Sequence, residues 1–280
     1  MPTLAAARSF LFAPGNDERK LRKALASRAD VVVVDLEDAV SVEQKDAARE
    51  VVRSVLADYS AVGLVAIRVN GVHTAFFAAD VELAQELRPD VLVLPKATPG
   101  AGVALGEEGP PVVAIVETAD GLRHAHEVAS LPRVEALVVG TVDLGVELRL
   151  EQREDGLEIL FARSKVVLDS AAARIRAPID RVWTDVRDGD GLEDDTEFAR
   201  SLGFRGKACV HPDQVAIVNR VFTPSDEELS QARRVVEAYE HALGEGAGVT
   251  ALEGEMIDLP VVERARQVLA LAERSAVDAS

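Results

Sequence analysis

Six short apolar runs in this 280-residue chain each stop at a polar or acidic residue. Val31–Val34 stops at Asp35, Leu64–Ile67 at Arg68, Val91–Leu94 at Pro95-Lys96, and Val112–Val116 at Glu117. Ala136–Val139 leads into Gly140-Thr141-Val142-Asp143, and Ala208–Val210 into His211. Uninterrupted apolar strands are buried on both faces, which is the habit of parallel sheets covered by helices. Strands that all deliver polar groups at one end describe the carboxyl rim of an α/β barrel, where such folds place their chemistry.

Between these runs the pattern changes to helical periodicity. Strands are expected at Ser9–Ala13, Val31–Asp35, Leu64–Val69, Val91–Pro95, Val112–Glu117, Ala136–Gly140, Ile179–Thr184 and Gly206–His211. Helices are expected at Asp17–Ser27 with Asp17 near the N-cap, and at Val42–Ala57 with Ala47, Val51 and Val55 on one side. Others end near Leu87 or run over Leu157–Ala173 and Leu192–Leu202. Eight evenly spaced units favour a closed (β/α)8 TIM barrel, residues 1–224, over an open doubly wound sheet. After Phe222 the strand pattern stops. Helices over Ser225–Leu243 and Leu259–Ala272, joined through Gly244, Gly246 and Gly248, form a C-terminal helical extension, 225–280. With no strand left to pair, this extension is expected outside the barrel or against another subunit.

Composition narrows the partners. Asp and Glu total 48 against 31 Lys and Arg, a net charge of −17, which repels nucleic acid and anionic lipid at long range. Aromatics are 4% of the chain, leaving few platforms on which bases stack. An anionic substrate therefore needs a locally basic pocket. The single Cys209 excludes an internal disulfide and reads as a small core residue. The chain shows no basic-then-apolar leader and no apolar stretch of the roughly 18 residues a membrane span needs. A cytoplasmic protein without membrane or nucleic-acid partners is expected.

Glu117 and Asp143 fall at neighbouring strand ends. Each suits the N-terminus of the helix that follows, and together they suit a hard divalent cation such as Mg²⁺, which takes one or two carboxylates and completes its shell with water and substrate oxygens. Asp35, Glu37 and Asp38 crowd the end of the second strand, either as a solvated acidic loop or as acids relieved by a nearby cation. Arg68 suits a substrate carboxylate or an ion pair with one of these acids, Glu117 among them. Lys96 and Lys207 lie near strands four and eight, where charge balance competes with a Schiff-base role, and His211 is placed to cap the next helix. Other signals fail on geometry. An EF-hand over Asp188, Asp190, Gly191 and Glu197 would need a ligand at Val186. His124 and His126 point to different helix faces. Gly244-x-Gly-x-Gly248 follows a helix rather than a strand.

Arg8-Ser-Phe-Leu-Phe-Ala-Pro-Gly15 and Val34-Asp-Leu-Glu-Asp-Ala-Val40 resemble the opening of the citrate lyase β-subunit (CitE-like) family, within the HpcH/HpaI aldolase and malyl-CoA lyase group. Arg68-Val-Asn70, Leu94-Pro-Lys96, Glu117-Thr-Ala119, Gly140-Thr-Val-Asp-Leu144, Gly206-Lys-Ala-Cys-Val-His-Pro212 and Gly254-Glu-Met-Ile-Asp-Leu-Pro260 continue the resemblance, in order, over nearly the whole chain. It implies a TIM barrel that binds Mg²⁺ through Glu117 and Asp143, with Glu37 and Asp38 holding metal-bound waters. It implies that Arg68 meets the substrate carboxylate or carbonyl, and that Gly140 and Thr141 line the substrate site. It also implies an acid/base role for Asp258, often supplied by a neighbouring subunit, and a homotrimer. The expected reaction is cleavage or formation of a 3-hydroxyacyl thioester such as citryl-, malyl- or citramalyl-CoA. The products are an acetyl-type thioester, on CoA or a carrier, and a 2-keto acid such as oxaloacetate or glyoxylate. A class II aldolase using pyruvate enolate and an aldehyde is one alternative, and a non-catalytic carrier-binding subunit is another.

Overall fold

The apolar runs become the staves of a closed eight-stranded parallel barrel in strict sequence order, β1 to β8. The structure, a computed structural model, describes residues 3–59, 63–153 and 155–277. The strands are β1 (Ser9–Pro14), β2 (Val31–Asp35), β3 (Leu64–Arg68), β4 (Val91–Leu94), β5 (Val112–Val116), β6 (Val134–Val139), β7 (Ile179–Asp180) and β8 (Gly206–Cys209). β1 also pairs with β8, which closes the ring. The barrel helices are α1 (Glu18–Leu25), α2 (Lys45–Ala57), α3 (Phe77–Leu87), α4 (Ala101–Leu105), α5 (Ala119–Arg123), α6 (Ala125–Ala129), α7 (Thr141–Leu148), α8 (Leu160–Ala172), α9 (Gly189–Leu202) and α10 (Pro212–Phe222).

Alternation along each strand sorts core from site. Val32 and Val34 join the aliphatic cluster beneath the helices, as do Ala114 and Val116. Their neighbours Val31, Val33 and Asp35, and Val113 and Ile115, therefore face the barrel axis. Register then sets side chains level at the rim: Pro14 lies opposite Asp35, and Asp35 opposite Arg68.

Two units emerge. Ala7–Phe222 is the barrel with its helices, and the N-terminal residues to Ala6 join Thr223 onward in a second unit. In that second unit α11 (Asp226–Gly244) begins with a capping box between Ser225 and Glu228. It packs with α12 (Leu259–Val277) around Val235, Tyr239, Ile257 and Val262. Among the described residues, no helix is long and apolar enough to cross a membrane.

Several expectations need correction. The extension is not purely helical, because Thr250–Leu252 (β9) and Glu255–Ile257 (β10) form an antiparallel hairpin. Its turn residues Glu253 and Gly254 both take positive φ, 54° and 88°, the two-residue geometry that twists with its strands. β7 ends at Asp180 rather than Thr184, and β6 runs over Val134–Val139. The inner face of α2 is Lys45, Ala48, Arg49, Val52 and Val55, so Val55 lies where expected while Ala47 and Val51 do not belong to it. α9 begins at Gly189, where the Asp188 carboxylate accepts from Gly191 N at 2.9 Å and so caps a helix.

Candidate active site

Where β1, β2, β3, β5, β6 and β8 end, their inward side chains enclose a cavity of about 450 Å³. Phe12, Asp35, Asp38, Arg68, Glu117, Gly140, Thr141 and Asp143 are among its walls. Glu117 follows β5, only 3% exposed, and its Oε1 accepts from Lys96 N at 2.7 Å. Gly140 makes room for it, since a Cβ there would lie 2.5 Å from the Glu117 Cβ and 2.7 Å from Oε2. A glycine is needed at 140 because the carboxylate lies against its backbone. Asp143 reaches the same cavity from the first turn of α7.

Asp35 anchors the acidic loop. Its carboxylate accepts from the backbone N of Glu37 at 2.8 Å and of Ala39 at 3.2 Å, an Asx-type turn that folds Glu37 and Asp38 back over the rim. It also receives Arg68 in two hydrogen bonds, from Nε at 2.7 Å and Nη2 at 2.6 Å. Arg68 Nη1 sits 3.0 Å from Glu37 Oε2, and its guanidinium lies 5.2 Å from the Phe12 ring centre. Arg68 is therefore paired with Asp35 and Glu37, not with Glu117. Lys96 pairs with Glu37 and approaches Asp38 at 3.7 Å.

Acid outweighs base at this rim, and the titration of the carboxyls records it. Burial, then the charge of Glu37 and more weakly that of Asp143, pushes Glu117 up to about 7. Burial also raises Glu37, against the pull of Arg68 and Lys96. A cation bound between Glu117 and Asp143 would relieve this repulsion, and hard carboxylate oxygens are the donors such an ion takes. Among the described residues no group of three or more His, Cys, Asp or Glu side chains forms a ready-made cage. Two carboxylates leave the remaining positions to water and substrate oxygens, the habit of Mg²⁺.

Sequence reasoning missed two supports. Lys45 Nζ donates to the carbonyls of Leu36 and Glu37, both at 2.7 Å, and Asn70 Nδ2 donates to Leu36 O at 2.9 Å. Asp80 holds Asn70 in turn. The signal for Lys45 is its phase: it falls on the buried stripe of α2, where a lysine needs a polar partner. Other expected residues lie elsewhere. Lys207 is buried outside the barrel wall between Asp180 and Asp195, 2.6 Å from each, as a charge-balancing group. Cys209 is buried, its thiol pushed up to about 12 by that burial. His211 Nδ1 accepts from Asp213 N at 3.3 Å, at the start of α10. Asp258 belongs to the second unit, where its Oδ1 accepts from Val261 N at 3.3 Å at the start of α12.

A closed parallel barrel with acid-rich chemistry gathered at its carboxyl rim is the architecture of an α/β-barrel enzyme. The profile of the HpcH/HpaI aldolase/citrate lyase family matches residues 8–212, and that of the C–C bond lyases of the TIM-barrel fold matches residues 158–277. The chain belongs to the HpcH/HpaI aldolase/citrate lyase family and is a carbon–carbon lyase. It is 38% identical over 271 residues to a (3S)-malyl-CoA thioesterase of Cereibacter sphaeroides, covering 95% of this chain and 94% of that one. It is 35% identical over 282 residues to the citrate lyase subunit beta of Leuconostoc mesenteroides subsp. cremoris, covering 95% and 93%. CitE from Mycobacterium tuberculosis, solved with magnesium, acetoacetate and coenzyme A, superposes with a TM-score of 0.84 at 33% identity, covering 96% of this chain and 100% of that one.

Proposed function

We propose that this enzyme makes or breaks the C–C bond of a 3-hydroxyacyl thioester of the citryl, malyl or citramalyl type, using Mg²⁺, and exchanges it with an acetyl-type thioester and a 2-oxo acid such as oxaloacetate or glyoxylate. The observation that carries the reading is the meeting of Glu117, Asp143 and Arg68 on the walls of one cavity. Magnesium in the related CitE complex supports Mg²⁺ here, held by Glu117 and Asp143, with Glu37 and Asp38 turned toward its waters. Bound there, the ion supplies Lewis acidity to the substrate oxygens. Arg68, after pairing with Asp35 and Glu37, keeps N–H groups for a carboxylate or carbonyl oxygen and steadies its developing charge. Gly140 and Thr141 form the wall on which the 2-oxo acid lies.

A thioester on coenzyme A needs a basic surface on this acidic chain. Arg19, Lys20 and Lys23 of α1 line a neighbouring cavity of about 470 Å³ that shares Phe12, Ala13, Pro14 and Val210 with the first. The phosphates of coenzyme A fit this stretch, leaving the thioester directed at the rim. Asp258 is the acid/base for the thioester α-carbon, delivered by a neighbouring copy in a homotrimer. The extension, 225–280, is the part that packs on that neighbour. Apolar side chains left exposed on α7 and α8 (Val146, Phe161, Leu168) and beside Asp258 (Met256, Leu259) support such burial. A cytoplasmic setting, where acyl-CoA esters are made and used, completes the reading.

A panel of malyl-, citramalyl- and citryl-CoA, assayed with Mg²⁺ and with excess EDTA, tests it. Magnesium-dependent release of a 2-oxo acid is expected, and unchanged turnover in EDTA overturns it. Hydrolysis of the same thioester is a second activity favoured by the Cereibacter relative. It would appear as free thiol without 2-oxo acid.

A further inference from the structure

Left-handed backbone at a residue other than glycine is strained and needs a reason. Among the described residues, Arg88 and Arg149 take positive φ as the C-caps of α3 and α7, and Arg133, Arg174 and Glu253 take it in turns. Lys96, at φ 48°, has neither excuse. It follows β4 at the carboxyl rim, and its side chain is the one cation there besides Arg68 that pairs with Glu37.

Lys96 is where the ladder between β4 and β5 gains a residue. Leu92 lies opposite Val112 and Leu94 opposite Ala114, in even register. Leu92 N donates to Pro111 O at 2.9 Å, so an even parallel ladder would bring the amide of residue 96 to Ile115 O. Instead Ala97 N takes Ile115 O, at 3.0 Å, one residue late. This is a bulge, and bulges at barrel rims re-aim what the strand presents. The amide it frees is that of Lys96, which donates to Glu117 Oε1 at 2.7 Å. The left-handed turn thus converts a sheet hydrogen bond into a grip on the carboxylate. Such a bond to an ionised acceptor is stronger than the neutral one it replaces.

We propose that Lys96 is a positioning residue of the cation site and acts through its backbone, its bulge holding Glu117 in the orientation that receives the ion. The inference rests on the reading that Glu117 and Asp143 bind Mg²⁺. The ammonium is the lesser part, since Glu37 keeps Arg68 without it.

Substitutions that separate conformation from charge test this role. Glycine enters the left-handed region freely and asparagine tolerates it, whereas β-branched valine resists it; none of the three carries the ammonium. Mg²⁺ is titrated calorimetrically into the metal-free full-length protein, below the melting temperature of each variant. Lys96→Val is expected to bind Mg²⁺ about 30-fold more weakly than the parent, within the range for an outer support of a metal ligand. Lys96→Asn and Lys96→Gly should stay within about threefold of the parent, because the amide still reaches Glu117. A merely structural role would lower melting temperatures and leave these affinities alone. Should Lys96→Val not fold, Lys96→Ala against Lys96→Asn carries the same comparison. Equal losses in the valine, asparagine and glycine variants assign the effect to the ammonium and overturn the backbone role, as does an unchanged affinity in Lys96→Val. Absence of Mg²⁺ binding in the unsubstituted protein overturns the underlying reading, and this role with it.

Discussion

At the carboxyl rim Asp35, Glu37, Asp38, Glu117 and Asp143 face Arg68 and Lys96, while behind β7 and β8 the cations Arg163, Lys207 and Arg181 share Asp180 and Asp195. Both clusters are largely buried, yet they are built to opposite ends. At the rim the acids outnumber the cations, and Glu117 is pushed up to about 7. Behind the barrel each acid is held by two or three cations, and Asp195 is pulled down to about 2 although burial opposes its charge. The rear cluster matches its acids with cations of the same chain and fastens α8 and α9 to the barrel. The rim cluster is left short of positive charge, which suits the cation proposed to bind there.

Breaking the rim should cost function and spare the fold. Glu117→Gln or Asp143→Asn is expected to lower kcat/KM by about 10³-fold, the upper range for removing one preorganised charge-stabilising group. Mg²⁺ binding by calorimetry should disappear, while metal-free thermal stability holds or rises because repulsion is relieved. Activity within tenfold of the parent would remove the rim from the mechanism.

Breaking the rear cluster should do the reverse. Lys207→Met leaves Asp180 and Asp195 buried with fewer partners, and about 3–5 kcal/mol of unfolding free energy should be lost. Urea titration measures it, and the folded fraction should still bind Mg²⁺. A loss below about 1 kcal/mol would mean the cluster is no brace.

The two clusters also predict opposite responses to pH. The unfolded chain releases the Glu117 proton near the ordinary value of 4.5, the folded chain near 7. Between those values the folded state holds more protons, so metal-free stability falls as pH rises and levels off above 7, a change on the order of 3 kcal/mol. Asp195 works the other way: its stabilisation is complete above the ordinary 3.8 and is lost as pH falls through about 2. Urea unfolding at pH 5 and 8 should show the first slope, Glu117→Gln should flatten it, and Mg²⁺ should stabilise more at pH 8 because it binds the ionised carboxylate. A slope unchanged in Glu117→Gln would assign it elsewhere.

How far the sequence reaches follows the same division. Barrel strands are legible because a run such as Val31–Val34 is buried on both faces and has no other reading. Rim acids are legible because they interrupt those runs. The hairpin β9–β10 is not, since Thr250–Leu252 and Glu255–Ile257 are three residues each and half exposed, and Glu253-Gly254 is a weaker turn signal than Asn-Gly. β7 is legible where it starts, at Ile179, but not where it ends: Arg181 is drawn to Asp195 on α9, and the chain leaves the sheet after Asp180, a tertiary preference that no local pattern carries. Lys45 is hard to read because a charged residue on a helix ordinarily marks its exposed face.

That lysine offers the finest test of how the rim is held. Lys45 is buried, and desolvation lowers its pKa against the nearby acids, Asp35 first among them. Its Nζ ties together the carbonyls of Leu36 and Glu37, each of which has one further donor, Asn70 Nδ2 on the first and the backbone N of Val40 on the second. In Lys45→Met each carbonyl keeps one donor and the link between them is lost. Glu37 should then hold Lys96 and Arg68 less firmly, without any group that touches substrate being removed. The effect expected is about tenfold on Mg²⁺ affinity and kcat/KM, the lower range for an outer support of a metal site. A merely structural role would lower the melting temperature and leave the Mg²⁺ affinity of the folded protein alone. Calorimetry below that temperature separates the two, and an unchanged affinity would show that the loop needs no clamp beyond Asp35.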